Sequence, residues 1–471
     1  MTGSSHPVRI LGLETEYGVV TAHTSPVDGA ASPPLSPAEA IAELFRGTRQ
    51  QDHARNRYLP NGGRLYVDLG SHPEYATAEC TLPRDVAVQD RAGEELLRRL
   101  AATANERLNE RGIRIHIVKT NTDRGGATFG CHENYQIRRE TLDSLDPGFI
   151  AFLATRPILT GSGGISENGE FVLSSRAAHI RSVVTADPTK ARPFIVTREE
   201  PHADATRFAR LQVTYGDSNV CDATTELKLT ITSAVLDLLE RGGSLRDLAL
   251  ADPVAALHET ARLGAEARLP LADGRSMTSL DLQEAVLERC QEQGSAVALD
   301  GAREITDALR ANDLARVAPR LDWACKEGLL RQAAARRDLP LNSPLIARIE
   351  LAYHDIDSER GLAGRLRTGG QMASVVGARE IERACSEPPA DTRAAVRGRF
   401  VAEADRLGLM ASVSWTHVRL DSPPRPQIDL IDASASADTR VDALIDEIRA
   451  MPRPTMSALR RLQAGLGPLN P

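Results

Sequence analysis

The stretch "RLYVDLGSHPEYATAEC", Arg64 to Cys80, constrains this chain more than any other. It opens as a strand, with Leu65 and Val67 alternating against Arg64, Tyr66 and Asp68, and then adds His72, Glu74 and Glu79 where the strand runs out. A second segment repeats the theme. In "VRILGLETEYGVV", Leu11, Leu13, Thr15 and Tyr17 alternate with Gly12, Glu14, Glu16 and Gly18, the period-2 pattern of a half-buried strand. Glu14 and Glu16 therefore share a face, about 7 Å apart by strand rise. Carboxylates do not cluster inside a fold unless something cationic holds them. A hard cation such as Mg²⁺ takes oxygen ligands and leaves room for phosphate or water, so acids carried on an antiparallel sheet suit an ATP–metal site. The plainer alternative is a set of surface glutamates in salt bridges.

At 471 residues the chain suggests two or three packing units, or one large catalytic domain with an appendage. The net charge of −7 gives no basis for bulk attraction to nucleic acid or to anionic membranes. Six cysteines lie far apart without CxxC spacing, as expected of reduced thiols rather than a disulfide framework or a zinc site. No apolar h-region precedes the first charges, and no run approaches the roughly 18 apolar residues of a membrane span. The expectation is a cytoplasmic protein.

"HTSPVDGAASPPLSP" is a loop, and Ser36-Pro37-Ala38-Glu39 is a capping box that opens a helix to about Arg46. The turn "PNGG" leads into the strand Arg64 to Leu69. A helical pattern runs from about Pro83 to Arg111, closed by Gly112, and the strand "IRIHIVK" follows. Further strands are predicted at "NYQIRRE", "FVLSS", "RPFIVTREE" and "RFARLQVTYGD", a long helix at "TELKLTITSAVLDLLERGG", and almost wholly helical structure over 245–335. A helix around 391–406 and a β-like patch, "MASVSWTHVRLDS", mark a small α+β appendage. The expected division is 1–400 and 401–471.

No P-loop or dinucleotide-binding glycine motif is present, so any ATP is held in another way. Arg64, Arg176, Arg198 and Arg207 are the candidates for neutralising phosphate. His132 in "GCHENY" and His202 in "EEPHADA" stand beside acids but lack zinc spacing, and a lone His near a carboxylate reads as a hydrogen-bonding partner. G-x-S-x-G is absent. Cys131 beside His132 is the one hint of nucleophilic catalysis.

Together, "GLETEYG", "NGGRLYVDLGSHPEYATAEC", "GCHENY", "TREEPHADA", "GDSN" and "LAYHDI" resemble the Pup ligase and depupylase family of glutamine synthetase-like carboxylate–amine ligases. The matching segments run in order from residue 9 to about 420. "DLGSHPEYATAEC" and "LAYHDI" resemble the ligase branch, and the short connection after the first strand lacks the long insertion of the depupylases. The resemblance implies an α+β fold: a large domain whose curved antiparallel sheet forms a cradle backed by helices, plus a small C-terminal α+β domain. It further implies ATP and Mg²⁺ as cofactors, the small disordered protein Pup as a partner, and lysine-bearing proteins as acceptors.

Carried over by motif, Glu14, Tyr66 and Glu74 resemble the family's Mg²⁺ positions, with Glu16 as a further acidic neighbour of the metal. Arg64, Thr77 and Trp415 resemble its ATP contacts, and Asp68 its catalytic base. The activity so implied is phosphorylation of the γ-carboxylate of Pup's C-terminal glutamate, then isopeptide formation with a lysine. The chain departs from the family at Glu199, Ala209, Gln212, Ser174–Ala177 and Asp222. Two other readings are a depupylase, deamidase or paralogue acting on another carboxylate, and a scaffold that has lost catalysis.

Overall fold

The computed structural model describes residues 9–25, 32–46, 56–68, 70–123, 125–185, 192–197, 200, 202–295 and 298–452. Arg198 and Glu199 lie outside them. An eight-stranded sheet organises the molecule, in the order Ser182–Thr185, Pro193–Val196, Phe208–Val213, Cys131–Arg138, Leu11–Glu16, His72–Ala76, Arg64–Asp68, Asn56–Tyr58. Every neighbouring pair is antiparallel except the first, which is parallel. The α+β fold is therefore observed, its sheet mixed at one edge.

Alternation sorts the two faces. Leu11, Leu13, Tyr135, Ile137, Leu211 and Val213 turn into one core. That core also takes Phe149 and Phe152 from the helix Pro147–Thr155 and Ile231 and Val235 from the helix Asp222–Glu240. Each such side chain contributes about 1.5–3 kcal/mol when fully buried. The intervening residues, Glu14, His132, Asn134, Arg210 and Gln212 among them, are left on the other face. The helix Pro83–Leu108 covers the next part of the sheet and joins Tyr17, Leu65 and Tyr75 in a second core. It starts with Pro83 in the first turn, and Gly112, at φ 61, ends the short 3₁₀ turn that follows it.

Three sequence expectations need correction. The alternation from Leu11 does not continue as one strand: it stops at Glu16, and Gly18–His23 pairs instead with Ile113–Val118. Tyr17 N–H still donates to the Pro73 carbonyl at 2.9 Å, but proline has no N–H to return, so the ladder loses a rung where the chain changes partner. "FVLSS" forms a strand only at Phe171–Val172. The 245–335 region contains a small hairpin, Arg268–Pro270 with Ser276–Thr278, turned at Asp273-Gly274 with Gly274 at φ +88.

The terminal part builds its own core. The helices Arg393–Leu407 and Thr439–Ala450 pack on the three-stranded sheet Ala411–Val413, His417–Leu420, Ile428–Asp429 through Val396, Phe400, Val418, Leu420, Val441 and Ile448. Among the described residues no helix is long and apolar enough to cross a membrane.

Candidate active site

The acidic face forms where four strands lie side by side. Glu16 is opposite Glu74, Tyr66 is opposite Glu74 from the other side, and Glu14 is opposite His132. Carboxylate and imidazole atoms of Glu14, Glu74 and His132 lie within 4.8 Å of one another, and so do those of Glu16, Asp68 and Glu74. Six of the residues singled out in the sequence are thus gathered on one surface. Gly130 makes room for them, since a Cβ there would stand 2.5 Å from a Glu16 carboxylate oxygen.

Protein cations compensate these acids unequally. Burial alone would raise the Glu14 carboxyl, but His132 Nδ1 at 3.1 Å, Arg210 and Arg64 outweigh it and the net shift is downward. Glu16 is likewise held down against burial, chiefly by His72 Nδ1 at 3.1 Å. Among the described residues no cation is hydrogen-bonded to Glu74: burial, then the adjacent Glu14 carboxylate, push it up to about 8 against the opposing pull of His132 and the Tyr66 hydroxyl. The Tyr66 hydroxyl is raised well above its ordinary value by burial and by the Glu14 and Glu74 charges, so it remains a phenol hydrogen-bonded to Glu74. His132 is raised, because the acids around it outweigh its burial.

A buried carboxylate pushed up in this way, with other oxygen donors within reach, suits a hard cation by charge and by donor type. Glu14, Glu16, Tyr66 and Glu74 fit Mg²⁺ by donor chemistry. Asp68 differs from them in being exposed at the end of its strand.

Beside the acids lies a cleft lined by Gly12, Thr77, Glu79, Arg210, Arg393 and Trp415. Thr77 Oγ1 accepts from the Leu13 N–H at 3.0 Å, which fixes the hydroxyl against the acidic strand. The Trp415 indole, from the terminal unit, meets Tyr58 edge to face at 5.2 Å. Arg64 lies over the Tyr66 ring at 4.2 Å and donates to Asn56 Oδ1 at 2.7 Å.

The other arginine candidates behave differently. Arg176 is buried and donates to the carbonyls of Phe129 and, at 2.8 Å, Thr214, so it braces backbone behind Glu16. Arg207 is exposed beyond the sheet's end, over the Phe208 ring at 4.9 Å. Cys131 turns to the opposite side of its strand from His132, and burial raises its thiol, which removes the nucleophile suggested by their adjacency.

Arg210 and Gln212 escaped the sequence reading of the site. Gln212 Nε2 donates to Glu14 at 3.3 Å, and Arg210 reaches Asn134 at 3.2 Å. The alternation in "FARLQV" was the available signal, because it places Arg210 and Gln212 on the polar face once the strand is known to neighbour Cys131–Arg138. The departures at Gln212 and Asp222 acquire local explanations. Gln212 still supplies a donor to Glu14, while Asp222 caps structure elsewhere, accepting from Ser374 Oγ at 2.7 Å and Val375 N–H at 2.8 Å.

The profile of the family described as Pup-ligase protein matches residues 9–419. The chain belongs to the Pup-ligase family. It is 41% identical over 455 residues to the Pup–protein ligase of Acidimicrobium ferrooxidans, covering 93% of this chain and 99% of that one. It is 40% identical to the Pup–protein ligase of Brachybacterium faecium, over 94% of this chain and 97% of that one. Among solved structures, the complex of prokaryotic ubiquitin-like protein Pup with its ligase PafA superimposes with a TM-score of 0.87 at 31% identity, covering 98% and 95% of the two chains. A Pup ligase PafA complex with ADP gives 0.79 at 31% identity, covering 90% and 96%. In this member of the Pup-ligase family, Glu14 belongs both to the acidic cluster and to the lining of the cleft beside it.

Proposed function

We propose that the protein is an ATP- and Mg²⁺-dependent ligase that joins the C-terminal glutamate of Pup, through its γ-carboxylate, to lysine side chains of target proteins. The observation that carries this reading is the buried Glu74, pushed up to about 8 among Glu14, Glu16 and Tyr66 and lying next to a cleft that holds Thr77 and Trp415. Mg²⁺ held by Glu14, Glu16, Tyr66 and Glu74 would offset the charge of the ATP phosphates.

A free carboxylate resists attack by an amine, so the γ-carboxylate must first become an acyl phosphate, with ADP as leaving group. Arg64, stacked on Tyr66, supplies a fixed guanidinium for the phosphate charge as that group moves. Thr77 and Trp415 hold the nucleotide from the cleft walls. A lysine arrives protonated, and Asp68 takes its proton as general base, a role its exposure at the strand's end supports. The freed amine attacks the acyl carbon, the isopeptide bond forms, and phosphate leaves.

The proposal includes a catalytic domain, 1–400, and a small C-terminal domain, 401–471; the helix Arg393–Leu407, which packs in the terminal core, runs across that boundary and joins the two. Six free cysteines favour the cytoplasm as its setting.

The test is incubation with Mg-ATP, Pup ending in glutamate and a lysine-bearing acceptor. A covalent adduct and ADP are expected; release of Pup from a conjugate without any ligation would instead point to a depupylase. Asp68→Asn should lower adduct formation by about 10²–10⁴-fold while leaving Mg-ATP affinity near that of the parent. Retained ligation in that variant rejects Asp68 as the base.

A further inference from the structure

Glu79 has no part in the chemistry above, yet it is buried at the wall of the cleft. Its carboxylate is fully engaged by the helix Arg393–Leu407. Arg393 Nε donates at 2.8 Å and Arg397 Nη1 at 3.0 Å, and Arg397 Nη2 adds a further contact. The two guanidiniums then reach onward. Arg393 Nη1 donates to the Leu430 carbonyl at 2.9 Å. Arg397 Nη1 donates to the Trp415 carbonyl at 3.2 Å, and Nη2 to the Gly62 carbonyl at 2.7 Å. Arg397 also lies over the Trp415 ring at 4.8 Å and over Tyr58 at 5.7 Å. Thr392 Oγ1 donates to the Glu79 carbonyl at 2.9 Å, tying backbone as well as side chain.

A buried ionic triad is a poor device for stability alone, since well-packed apolar residues serve as well or better. What it does supply is direction. Two planar donors converge on one carboxylate, and a guanidinium held at both of its terminal nitrogens can orient the ring against its face. We infer that Glu79 is a positioning residue that, through Arg397, sets the placement of the Trp415 indole over the cleft. This rests on the reading of the cleft as the nucleotide site only for its consequence, tighter Mg-ATP binding; the placement of Trp415 itself is a separate observable.

Trp323 is the other tryptophan in the chain, so subtracting the emission of Trp415→Phe isolates Trp415 in the full-length protein. In Glu79→Gln, Trp415 emission without nucleotide should shift to the red. The Kd for Mg-ATP should rise at least about tenfold, with kcat at saturating ATP within about threefold of the parent, the split expected when binding geometry rather than chemistry is lost. Glu79→Asp should recover most of both. Unaltered Trp415 emission together with parental affinity would overturn the inference. If Glu79→Gln fails to fold by circular dichroism, Arg397→Lys, which keeps the charge and loses the fork, must show the same emission shift; a folded Arg397→Lys with parental emission overturns it too. Should Mg-ATP leave the parent's Trp415 emission unchanged during turnover, the nucleotide reading of the cleft fails, and the nucleotide-free shift in Glu79→Gln still decides on Glu79.

Discussion

Glu74 and Glu79 come from the same short stretch and are both buried, 3% and 8% exposed, yet they titrate in opposite directions. Burial is the largest influence on each and raises both. At Glu74 the neighbouring Glu14 adds to it and the carboxyl ends at about 8; at Glu79, Arg397 and Arg393 overwhelm it and the carboxyl ends at about 2. Residue type and burial therefore do not distinguish an acid built to meet a ligand from one built to hold the fold together. The charges facing it do. Elsewhere, several buried acids are compensated within the chain. Glu133 pairs with Arg156 at 2.6 Å, and Lys119 meets Asp90 at 2.5 Å and Glu94 at 2.9 Å. Asp90 in turn accepts from Thr15, the residue between Glu14 and Glu16, so a satisfied network braces the inner face of the strand whose outer face is short of charge.

The comparison breaks most easily by removing each acid in turn. Glu79→Ala strands two buried guanidiniums and should lower the unfolding free energy by about 3–5 kcal/mol. Glu74→Gln removes an acid already in conflict with Glu14, and in chelator should leave stability unchanged or raise it. Urea denaturation of both variants in EDTA measures the contrast; equal losses would erase it.

Acid titration sharpens it next. Glu79 titrates near 4.3 when unfolded and at about 2 when folded, so its contribution is complete above the unfolded value and lost as pH falls through the folded one. The parent should lose about 3 kcal/mol of its advantage over Glu79→Gln on that account between about pH 5 and about pH 2. A constant gap across that range would refute the assignment.

A divalent cation probes the other acid. Mg²⁺ at a hundredfold excess over its Kd should stabilise the parent by about 2.7 kcal/mol, and thermal denaturation should show that gain shrinking in Glu74→Gln. The smallest effect is expected from Gln212→His, which exchanges one donor to Glu14 for another; conjugation should change by less than about threefold, since a single hydrogen bond contributes about 0.5–1.5 kcal/mol net.

Much of the fold is legible in the sequence. The strands expected in "VRILGLETEYGVV", over Arg64 to Leu69 and in "RFARLQVTYGD" are found at Leu11–Glu16, Arg64–Asp68 and Phe208–Val213, and the capping box at Ser36 and Gly112 at the end of the 83–111 segment marked helix boundaries. Local rules failed where partners had to be known: the change of partner at Tyr17 depends on Pro73, and the hairpin within 245–335 shows only as an Asp-Gly turn in a helical region. In the site, Glu14, Glu16, Asp68 and Glu74 stood out as an excess of charge. Gln212, 198 positions from Glu14, did not, and His132, 118 positions away, could be read only as the partner of some carboxylate and not of Glu14 in particular.

By itself, then, the sequence determined that two acidic strands would each present their carboxylates on one face, because side-chain direction along a strand is a local property of period 2. It also carried the motifs of the family. Which acids would keep their charge uncompensated, and which would be consumed in holding the terminal unit, was decided only by the tertiary structure. Arg393 reaches Glu79 across 314 positions, and no local pattern encodes that meeting. A carboxylate's electrostatic role depends on what lies within a few ångströms of it in space, and the fold alone brings those groups together.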